Sequence, residues 1–227
     1  MPAPLSIIIP TLNAEAEIQA CMASLGAGLT ASLIREVIIA DGGSTDQTIL
    51  PAFEAGARIL KGPAGRGRQL RTGARNAKGD WFLFLHADTQ LQSNWPDVVW
   101  SHIQSAPDCA GAFQLAYRSD AAEARWLEKR ANKRARMLGL PYGDQGLLIS
   151  RKLYQELGGY SDQPLMEDVD LVRRIGKKQL KHLSARAFTS ADKYERDGWR
   201  KRAYKNAFLL LRYYLGASPE KLAKAYR

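Results

Sequence analysis

The stretch Trp81–Thr89, WFLFLHADT, decides the fold prediction. Its first five residues are all apolar or aromatic, without alternation, which is typical of a strand buried on both faces. Two similar runs, 5–9 and 36–40, precede it and are separated from it by segments with helical character. Buried strands that alternate with helices predict a parallel sheet with right-handed crossovers. We therefore expect an α/β fold with a Rossmann-like, mostly parallel central sheet flanked by helices.

The rest of the chain continues this alternation. The predicted strands are 5–9 (ended by Pro10), 36–40, 58–61, 81–85, 110–117 and 143–150. The predicted helices are 15–27, one capped by Ser44 or Thr45, 66–77, 121–137, a short one before Gly158, 166–178, 198–215 and a short one after Pro219.

Composition and charge restrict the class of protein. The chain has 227 residues, of which 45% are apolar and 25% charged, so disorder, collagen and coiled coil are excluded. Residues 1–170 carry 17 basic and 19 acidic groups, whereas residues 171–227 carry 16 basic and 4 acidic groups, a net charge of +12. A basic segment fits nucleic acid, a membrane surface or a phosphate-rich ligand. Because no nucleic-acid-binding motif accompanies it, we expect no nucleic-acid partner.

Cysteine spacing and hydropathy point to a cytoplasmic protein. Cys21 and Cys109 lie far apart and have no metal-ligand spacing, so we expect two free thiols in a reducing compartment. No secretory signal precedes the first apolar run. No apolar run reaches the roughly 20 residues that span a bilayer.

Three strand ends are candidate binding positions, because ligands of parallel α/β sheets bind beyond the carboxyl ends of the strands. These are 10–13, 41–46 and 86–89. Asp41 enters a glycine turn, where its carboxylate either accepts hydrogen bonds from a nucleotide or caps the turn. His86 and Asp88 share one side of an extended segment and could face a metal bound to a diphosphate. The alternative is a helix cap at Asp88 and a buried, hydrogen-bonded histidine.

Two further segments carry charges in suggestive positions. Glu167, Asp168 and Asp170 fall in one helical turn, where like charges raise a pKa as a general base requires, although acidic residues also favour helix N-termini. Gly65–Arg68 could cradle a phosphate with its amides and Arg66, while Arg68 and Arg71 are expected on a solvated helix face.

The last long helix has a basic and aromatic composition. Its predicted apolar stripe consists of Trp199, Ala203, Ala207, Leu210 and Tyr214, and its other face carries Lys201, Lys205, Phe208 and Arg212. Such a helix either lies in a lipid headgroup layer or docks on the sheet with a solvated basic back. Both interpretations stay open.

Taken in order, these motifs resemble the inverting family 2 glycosyltransferases of the GT-A fold. The matching segments are Pro10–Asn13, 41–46, 75–79, 85–89 and Glu167–Asp168. A small, single-domain bacterial branch is more similar still, through LHADT at 85–89, Gly143–Gly146 and LGASPEKLA at 215–223.

The resemblance implies roles for individual residues. Pro10, Thr11 and Asn13 would line the nucleotide pocket, and Asp41 would bind the base. Asp88 would hold Mn²⁺ or Mg²⁺, and Asp168, flanked by Glu167, would be the catalytic base. The turn residues Gly143, Asp144, Gln145 and Gly146 would border the donor sugar and acceptor. From the residues alone, Gly42 lets the backbone approach the ligand closely and Arg66 offers a guanidinium to a phosphate. His86 stands where the first aspartate of the family's DxD motif usually is. The QxxRW signature of processive synthases is absent, so a processive synthase is not expected.

The expected activity is transfer of a sugar, of hexosyl type, from a nucleotide-diphosphate donor to an acceptor hydroxyl, with inversion and a divalent metal. A UDP-sugar is the expected donor, and the unknown acceptor is expected to be lipid-linked. The alternative is a non-catalytic nucleotide- or membrane-binding scaffold. The expected domain is 1–190, with a nucleotide half (1–105) and an acceptor half (106–190), followed by basic amphipathic helices (191–227). We place the protein in the cytoplasm, with peripheral contact to an anionic inner membrane face.

Overall fold

The structure is a computed structural model that describes residues 3–226. The outermost residues of the predicted domain ranges, 1, 2 and 227, lie outside the described residues. The strands are β1 (Leu5–Thr11), β2 (Ile34–Asp41), β3 (Arg58–Lys61), β4 (Trp81–Phe84), β5 (Gln90–Leu91), β6 (Ala110–Tyr117), β7 (Leu147–Ser150) and β8 (Leu180–Thr189). The helices are α1 (Glu15–Ser24), α2 (Gly26–Thr30), α3 (Ile49–Glu54), α4 (Arg66–Asn76), α5 (Trp95–Ser105), α6 (Ala122–Leu138), α7 (Arg151–Glu156), α8 (Glu167–Ile175), α9 (Asp192–Asp197), α10 (Trp199–Tyr214) and α11 (Pro219–Tyr226).

The eight described strands form one sheet in the order β3-β2-β1-β4-β7-β6-β8-β5. Pairing is parallel from β3 through β4 and again between β6 and β8. It is antiparallel where β7 joins β4 to β6 and where β5 joins β8. The predicted mostly parallel α/β sheet is therefore confirmed, with its antiparallel pairs confined to the second half.

Both faces of the central strands are buried, as the unalternating apolar runs predict. Ile7 and Ile9 of β1 pack in a core with Trp95 of α5 on one face. Ile8 packs on the other face with Leu70 of α4 and Phe82 of β4. The sheet thus lies between two helical layers, and the carboxyl ends of β1, β2 and β4 point to the same edge.

Several predicted boundaries were wrong for local reasons. Pro10 does not end β1, which continues to Thr11; β4 pairs with β1 only as far as Ile8, so the missing Pro10 amide costs no ladder hydrogen bond on that side. Helix α3 begins at Ile49 rather than after Ser44 or Thr45, because those residues belong to a hydrogen-bonded loop.

In the second half, residues 143–145 form a 3₁₀ turn and only 147–150 form a strand. Helix α8 ends at Ile175, before Gly176. Four elements were not predicted from the sequence: α5, β5, β8 and α9. Strand β8 buries one face through Leu183, Ala185 and Ala187, and two of these three side chains are too small to mark the alternation.

The predicted C-terminal helical extension is confirmed. Helix α10 packs against α6 and α9, and α11 packs back on α10 with Leu222 fully buried. The predicted stripe of α10 is only partly correct. Trp199, Ala203 and Leu210 are half-buried, whereas Ala207 and Tyr214 are exposed and the buried residue of the helix is Leu209. No helix among residues 3–226 combines the length and hydropathy required to cross a bilayer. Cys21 and Cys109 are free thiols.

Candidate functional site

A cavity of about 610 Å³ opens at the carboxyl edge of the sheet, where β1 and β4 end. Nine predicted site residues line it: Pro10, Thr11, Asn13, Arg66, His86, Asp88, Gly143, Asp144 and Asp168. Residues from distant parts of the sequence are therefore brought together by the strand order. Five other predicted residues do not line it: Asp41, Gly42, Gln145, Gly146 and Glu167.

The floor of this cavity, which we define as His86, Asp88, Gly143, Asp144 and Asp168, is assembled from three elements. The backbone amide of Gly143 donates to Oδ2 of Asp168 at 2.7 Å, and the amide of Val169 donates to Oδ1 at 2.8 Å. Each carboxylate oxygen keeps a further acceptor position. Asp168 is thus oriented by backbone and remains able to accept a proton.

Glycine at 143 is required by close packing. A Cβ on this residue would lie 2.6 Å from Nε2 of His86 and 3.2 Å from Oδ2 of Asp168. The glycine therefore lets the turn approach both side chains. Burial, followed by the charge of Arg66, lowers the pKa of His86 to about 3 despite the nearby Asp168. His86 is consequently a neutral imidazole at physiological pH.

Two carboxylates of the floor have buried oxygens without partners. Oδ1 of Asp88 and Oδ1 of Asp144 make no hydrogen bond to any residue that the structure describes. Burial raises the pKa of Asp144 to about 6; Arg134 opposes the shift, while Asp168 and Asp88 add to it. The Asp88, Asp144 and Asp168 carboxylates therefore share one region of negative potential, which is unfavourable without a cation or a proton.

The donor set suits a divalent cation that is held mainly by a ligand. Within residues 3–226, no group of three or more His, Cys, Asp or Glu side chains is arranged to hold a metal by itself. Mg²⁺ and Mn²⁺ accept one or two carboxylates together with phosphate oxygens and water. The unpartnered oxygens of Asp88 and Asp144 fit that pattern.

The upper rim of the cavity, which we define as residues 11–15 and 41–48, is hydrogen-bonded within itself. Oδ1 of Asp41 accepts from Thr11 and Ser44 at 3.0 and 2.5 Å, and Oδ2 accepts from the amides of Gly43 and Ser44 at 2.9 and 3.0 Å. Burial raises the pKa of Asp41, but these four hydrogen bonds outweigh it and the net pKa is lowered. The carboxylate of Asp41 thus caps the turn, and Gly42 lies against Gln69. The contact of Asp41 with a nucleobase stays a prediction.

Glu167, which was predicted to flank Asp168, is buried beside Arg66. Its carboxylate is 1% exposed, outside the cavity, and its Oε1 lies 3.4 Å from the guanidinium of Arg66. Burial raises the pKa of Glu167, and Arg66 opposes the shift. Glu167 is therefore an ion-pair partner of Arg66 outside the cavity lining, and its role beside the catalytic base stays a prediction. The third carboxylate of the segment, Asp170, is bound by Ser161 and Arg174.

Gln145 and Gly146 serve the turn and not the cavity. The side-chain Nε2 of Gln145 donates to the Phe113 carbonyl at 3.0 Å and to Oδ1 of Asn132 in α6 at 3.3 Å. Gly146 adopts a φ of +61°, and a Cβ there would lie 2.9 Å from Leu85. Both residues hold the 143–146 turn in place.

Sequence reasoning missed a buried glutamine in the Arg-rich helix. Nε2 of Gln69 donates to the carbonyls of Thr11 and Ala40 at 2.8 and 2.7 Å, and its Oε1 accepts from the Gly65 amide. It ties the ends of β1 and β2 to the start of α4. Its neighbour Arg68 is exposed, as predicted, and pairs on the surface with Asp162 at 3.1 Å.

Sequence reasoning also missed the C-terminal wall of the cavity. Four residues of α10 line it: Arg202, Asn206, Leu209 and Leu210. Beside them, Tyr117 and Tyr194 line the same wall, and Tyr194 stacks on Trp199 with ring centroids 5.2 Å apart. Residues 202, 206 and 209 have the i, i+4, i+7 spacing of one helix face. Because Arg202 and Asn206 are polar, hydrophobicity alone does not indicate that this face points inward.

Comparison with known proteins agrees with this geometry. The model of the family "Glycosyl transferase family 2" matches residues 6–162. An uncharacterized glycosyltransferase of Haemophilus influenzae is 24% identical over 185 residues, which are 75% of this chain and 61% of that protein. A PGL/p-HBAD biosynthesis glycosyltransferase of Mycobacterium bovis is 37% identical over 99 residues, 40% of this chain and 38% of that protein. The chain thus spans less than two thirds of these curated relatives.

Solved structures share the fold. Glucosyl-3-phosphoglycerate synthase of Mycobacterium tuberculosis, in complex with Mn²⁺, UDP-glucose and glycerol 3-phosphate, aligns with a TM-score of 0.57 and 23% identity over 80% of this chain and 69% of that one. TarS of Staphylococcus aureus aligns with a TM-score of 0.65 and 17% identity over 85% of this chain and 62% of that one.

At these identities the structural matches establish architecture, which is the GT-A fold of glycosyltransferases. The family model covers more than half of the sequence. On that evidence the chain belongs to glycosyl transferase family 2.

Proposed function

We propose that this chain transfers a hexosyl group from a UDP-sugar to an acceptor hydroxyl with inversion at the anomeric carbon. The observation that carries the proposal is the cavity floor, where one carboxylate is held by backbone amides and two others keep buried, unpartnered oxygens. The donor class is supported by the solved synthase, which binds Mn²⁺ and UDP-glucose.

Asp168 is the proposed general base. The amides of Gly143 and Val169 donate to its two carboxylate oxygens and fix its orientation. As the acceptor oxygen attacks the anomeric carbon, Asp168 takes the hydroxyl proton and the bond from that carbon to the diphosphate oxygen breaks. The electron pair of that bond leaves with the diphosphate, so one attack from the opposite side inverts the centre.

Asp88, with Asp144 beside it, is the proposed binding position for Mn²⁺ or Mg²⁺. When bound, the metal would neutralise negative charge on the departing diphosphate. Neutral His86 lies beside Gly143 and near Asp168. We propose that its lack of charge leaves the floor anionic, which favours a divalent cation.

The rim and α4 are proposed to hold the rest of the donor. Pro10, Thr11 and Asn13 line the cavity at the end of β1, where the nucleoside would lie. Arg66, held by Glu167 at 3.4 Å, supplies a cation to the phosphates from the opposite wall. Because Asp41 and Gly42 are outside the cavity, we assign them to the support of this pocket.

Residues 1–105 are proposed to form the nucleotide half and residues 106–190 the acceptor half, followed by the basic helices of 191–227. We propose a lipid-linked acceptor and a position at the inner face of the plasma membrane. The net charge of +12 in residues 171–227 supports that location.

The substitution Asp168→Asn tests the base directly, and Asp170→Asn is the matched control two residues away. We expect Asp168→Asn to lower transfer by roughly 10²–10⁴-fold, the usual contribution of a general base. The affinity of this variant for UDP-glucose in the presence of Mn²⁺, measured by calorimetry, should differ little from that of the wild type. Asp170→Asn should retain transfer, because Asp170 contacts Ser161 and Arg174 instead of the cavity. An active Asp168→Asn protein would refute the assignment of the general base. If the wild type does not turn over the donor with or without Mn²⁺, a non-catalytic scaffold would be favoured instead.

A further inference from the structure

The outward face of α10 carries a continuous apolar stripe. Tyr204, Phe208, Leu211 and the capping Leu215 are 73%, 58%, 55% and 77% exposed. Their spacing of four, three and four residues places them along one side of the helix. Side chains of this size, exposed in a row, mark an interaction surface rather than ordinary surface composition.

The opposite face of the same helix belongs to the cavity. Leu209 is buried, and Arg202, Asn206 and Leu210 line the cavity with it. The helix is therefore held in place by its inner face, and Arg202 is further fixed by Asp197 at 2.6 Å. The apolar stripe is presented by a docked helix and is not the unpaired core face of a loose one.

The charge of α10 indicates which kind of partner suits the apolar stripe. The helix contains five basic residues and no acidic residue: Arg200, Lys201, Arg202, Lys205 and Arg212. Arg200 and Lys201 are exposed near its start. A second copy of this face would bring like charges together, whereas an anionic lipid surface complements both the cations and the apolar stripe.

We propose that α10 lies flat on an anionic bilayer, with Tyr204, Phe208, Leu211 and Leu215 inserted at the headgroup boundary. A helix of 16 residues extends about 24 Å, long enough to lie along the surface as a peripheral anchor.

This placement deepens the proposed function and rests on it for the acceptor. A helix is about 10 Å across, so the cavity wall formed by Asn206, Leu209 and Leu210 lies one helix diameter from the lipid. A membrane-anchored acceptor would therefore be held within about one helix diameter of the C-terminal wall of the cavity. The substrate class is therefore an amphiphile with a lipid anchor and a polar, hydroxyl-bearing head.

The test compares two double variants of the full-length protein in vesicle flotation. Phe208→Glu with Leu211→Glu alters the stripe. Leu50→Glu with Phe53→Glu, on α3, is the matched control, because these side chains have the same spacing and are 51% and 66% exposed. Vesicles contain phosphatidylcholine alone or with about one third phosphatidylglycerol, at low and moderate salt.

We expect the wild type and the α3 variant to bind anionic vesicles and the α10 variant to lose at least about tenfold in affinity. An equal loss of vesicle affinity in both double variants would show that the added negative charge alone causes the effect, and it would overturn the proposal. Failure of the wild type to bind anionic vesicles at low salt would also overturn it. So would sedimentation showing a wild-type dimer that the α10 substitutions dissociate.

A second variant keeps the stripe and removes cations. Arg200→Ser with Lys201→Ser should weaken binding to anionic vesicles roughly tenfold and lessen its salt dependence. Unchanged affinity and salt dependence would contradict the electrostatic part. Vesicle binding is measured without donor or acceptor. A negative result would therefore contradict the membrane proposal and leave the transferase proposal intact. Donor hydrolysis by the α10 double variant in vesicle-free solution should remain at the wild-type rate, because Phe208 and Leu211 do not line the cavity.

Discussion

The rim and the floor of the cavity both contain aspartate side chains, but the carboxylate oxygens of these residues differ in their hydrogen bonding. In the rim, Asp41 accepts four hydrogen bonds, and Asn13 and Ser44 join the two loops through hydrogen bonds at 2.9 Å. In the floor, Asp88 and Asp144 each keep a buried oxygen without a partner among the described residues. Since buried polar groups are normally paired, Asp41 is satisfied by the fold, whereas Asp88 and Asp144 are left with acceptor positions that we propose for a ligand.

Gly143→Ala is the change with the largest expected effect on this comparison. The added methyl would lie 2.6 Å from Nε2 of His86, so the turn or the imidazole must shift and Asp168 loses its orientation. We expect kcat to fall about 100-fold, the usual cost of an ångström-scale displacement at a reacting centre. Gly26→Ala is the control, because a Cβ at Gly26 has no neighbour within 4 Å. Steady-state transfer assays should separate the two; equal rates would show that the floor does not depend on this turn.

Asp144→Asn tests whether the floor carries electrostatic strain without a ligand. The pKa of Asp144 is raised to about 6, so its ionisation opposes folding as the pH rises from about 4 through 6. The amide variant should therefore be more stable than the wild type at pH 8 by about 1–3 kcal/mol, with no advantage below pH 4.

Urea unfolding with a chelator, at pH 8 and in steps down to pH 4, measures this difference. Asp108→Asn removes the same charge from an exposed loop and should have little effect at either pH. A wild type more stable than the Asp144→Asn protein at pH 8 would mean that the carboxylate is paired after all.

The central architecture followed from the sequence because apolar runs such as 81–85 are long and unalternating. The positions of His86, Asp88 and Asp168 at one cavity followed from strand ends and motif order. What could not be predicted depends on tertiary contacts: the four donors around Asp41, the pairing of Glu167 with Arg66 and the hydrogen bonds of Gln69. The inward face of α10 was missed because Arg202 and Asn206 interrupt its hydropathy, although both line the cavity.

The most direct test of the division between rim and floor is ligand-induced stabilisation in two isosteric variants, Asp88→Asn and Asp41→Asn. Unfolding is followed by heat and by urea, with and without UDP-glucose and Mn²⁺. Asp41→Asn should lower the free energy of unfolding by about 1–3 kcal/mol, because amide groups replace acceptors in a buried turn, yet should keep the stabilisation by ligand. Asp88→Asn should unfold at or above the wild-type midpoint and lose most of that stabilisation. The opposite pattern, a stable Asp41→Asn protein that no longer responds to ligand and an unstable Asp88→Asn protein that does, would contradict the account.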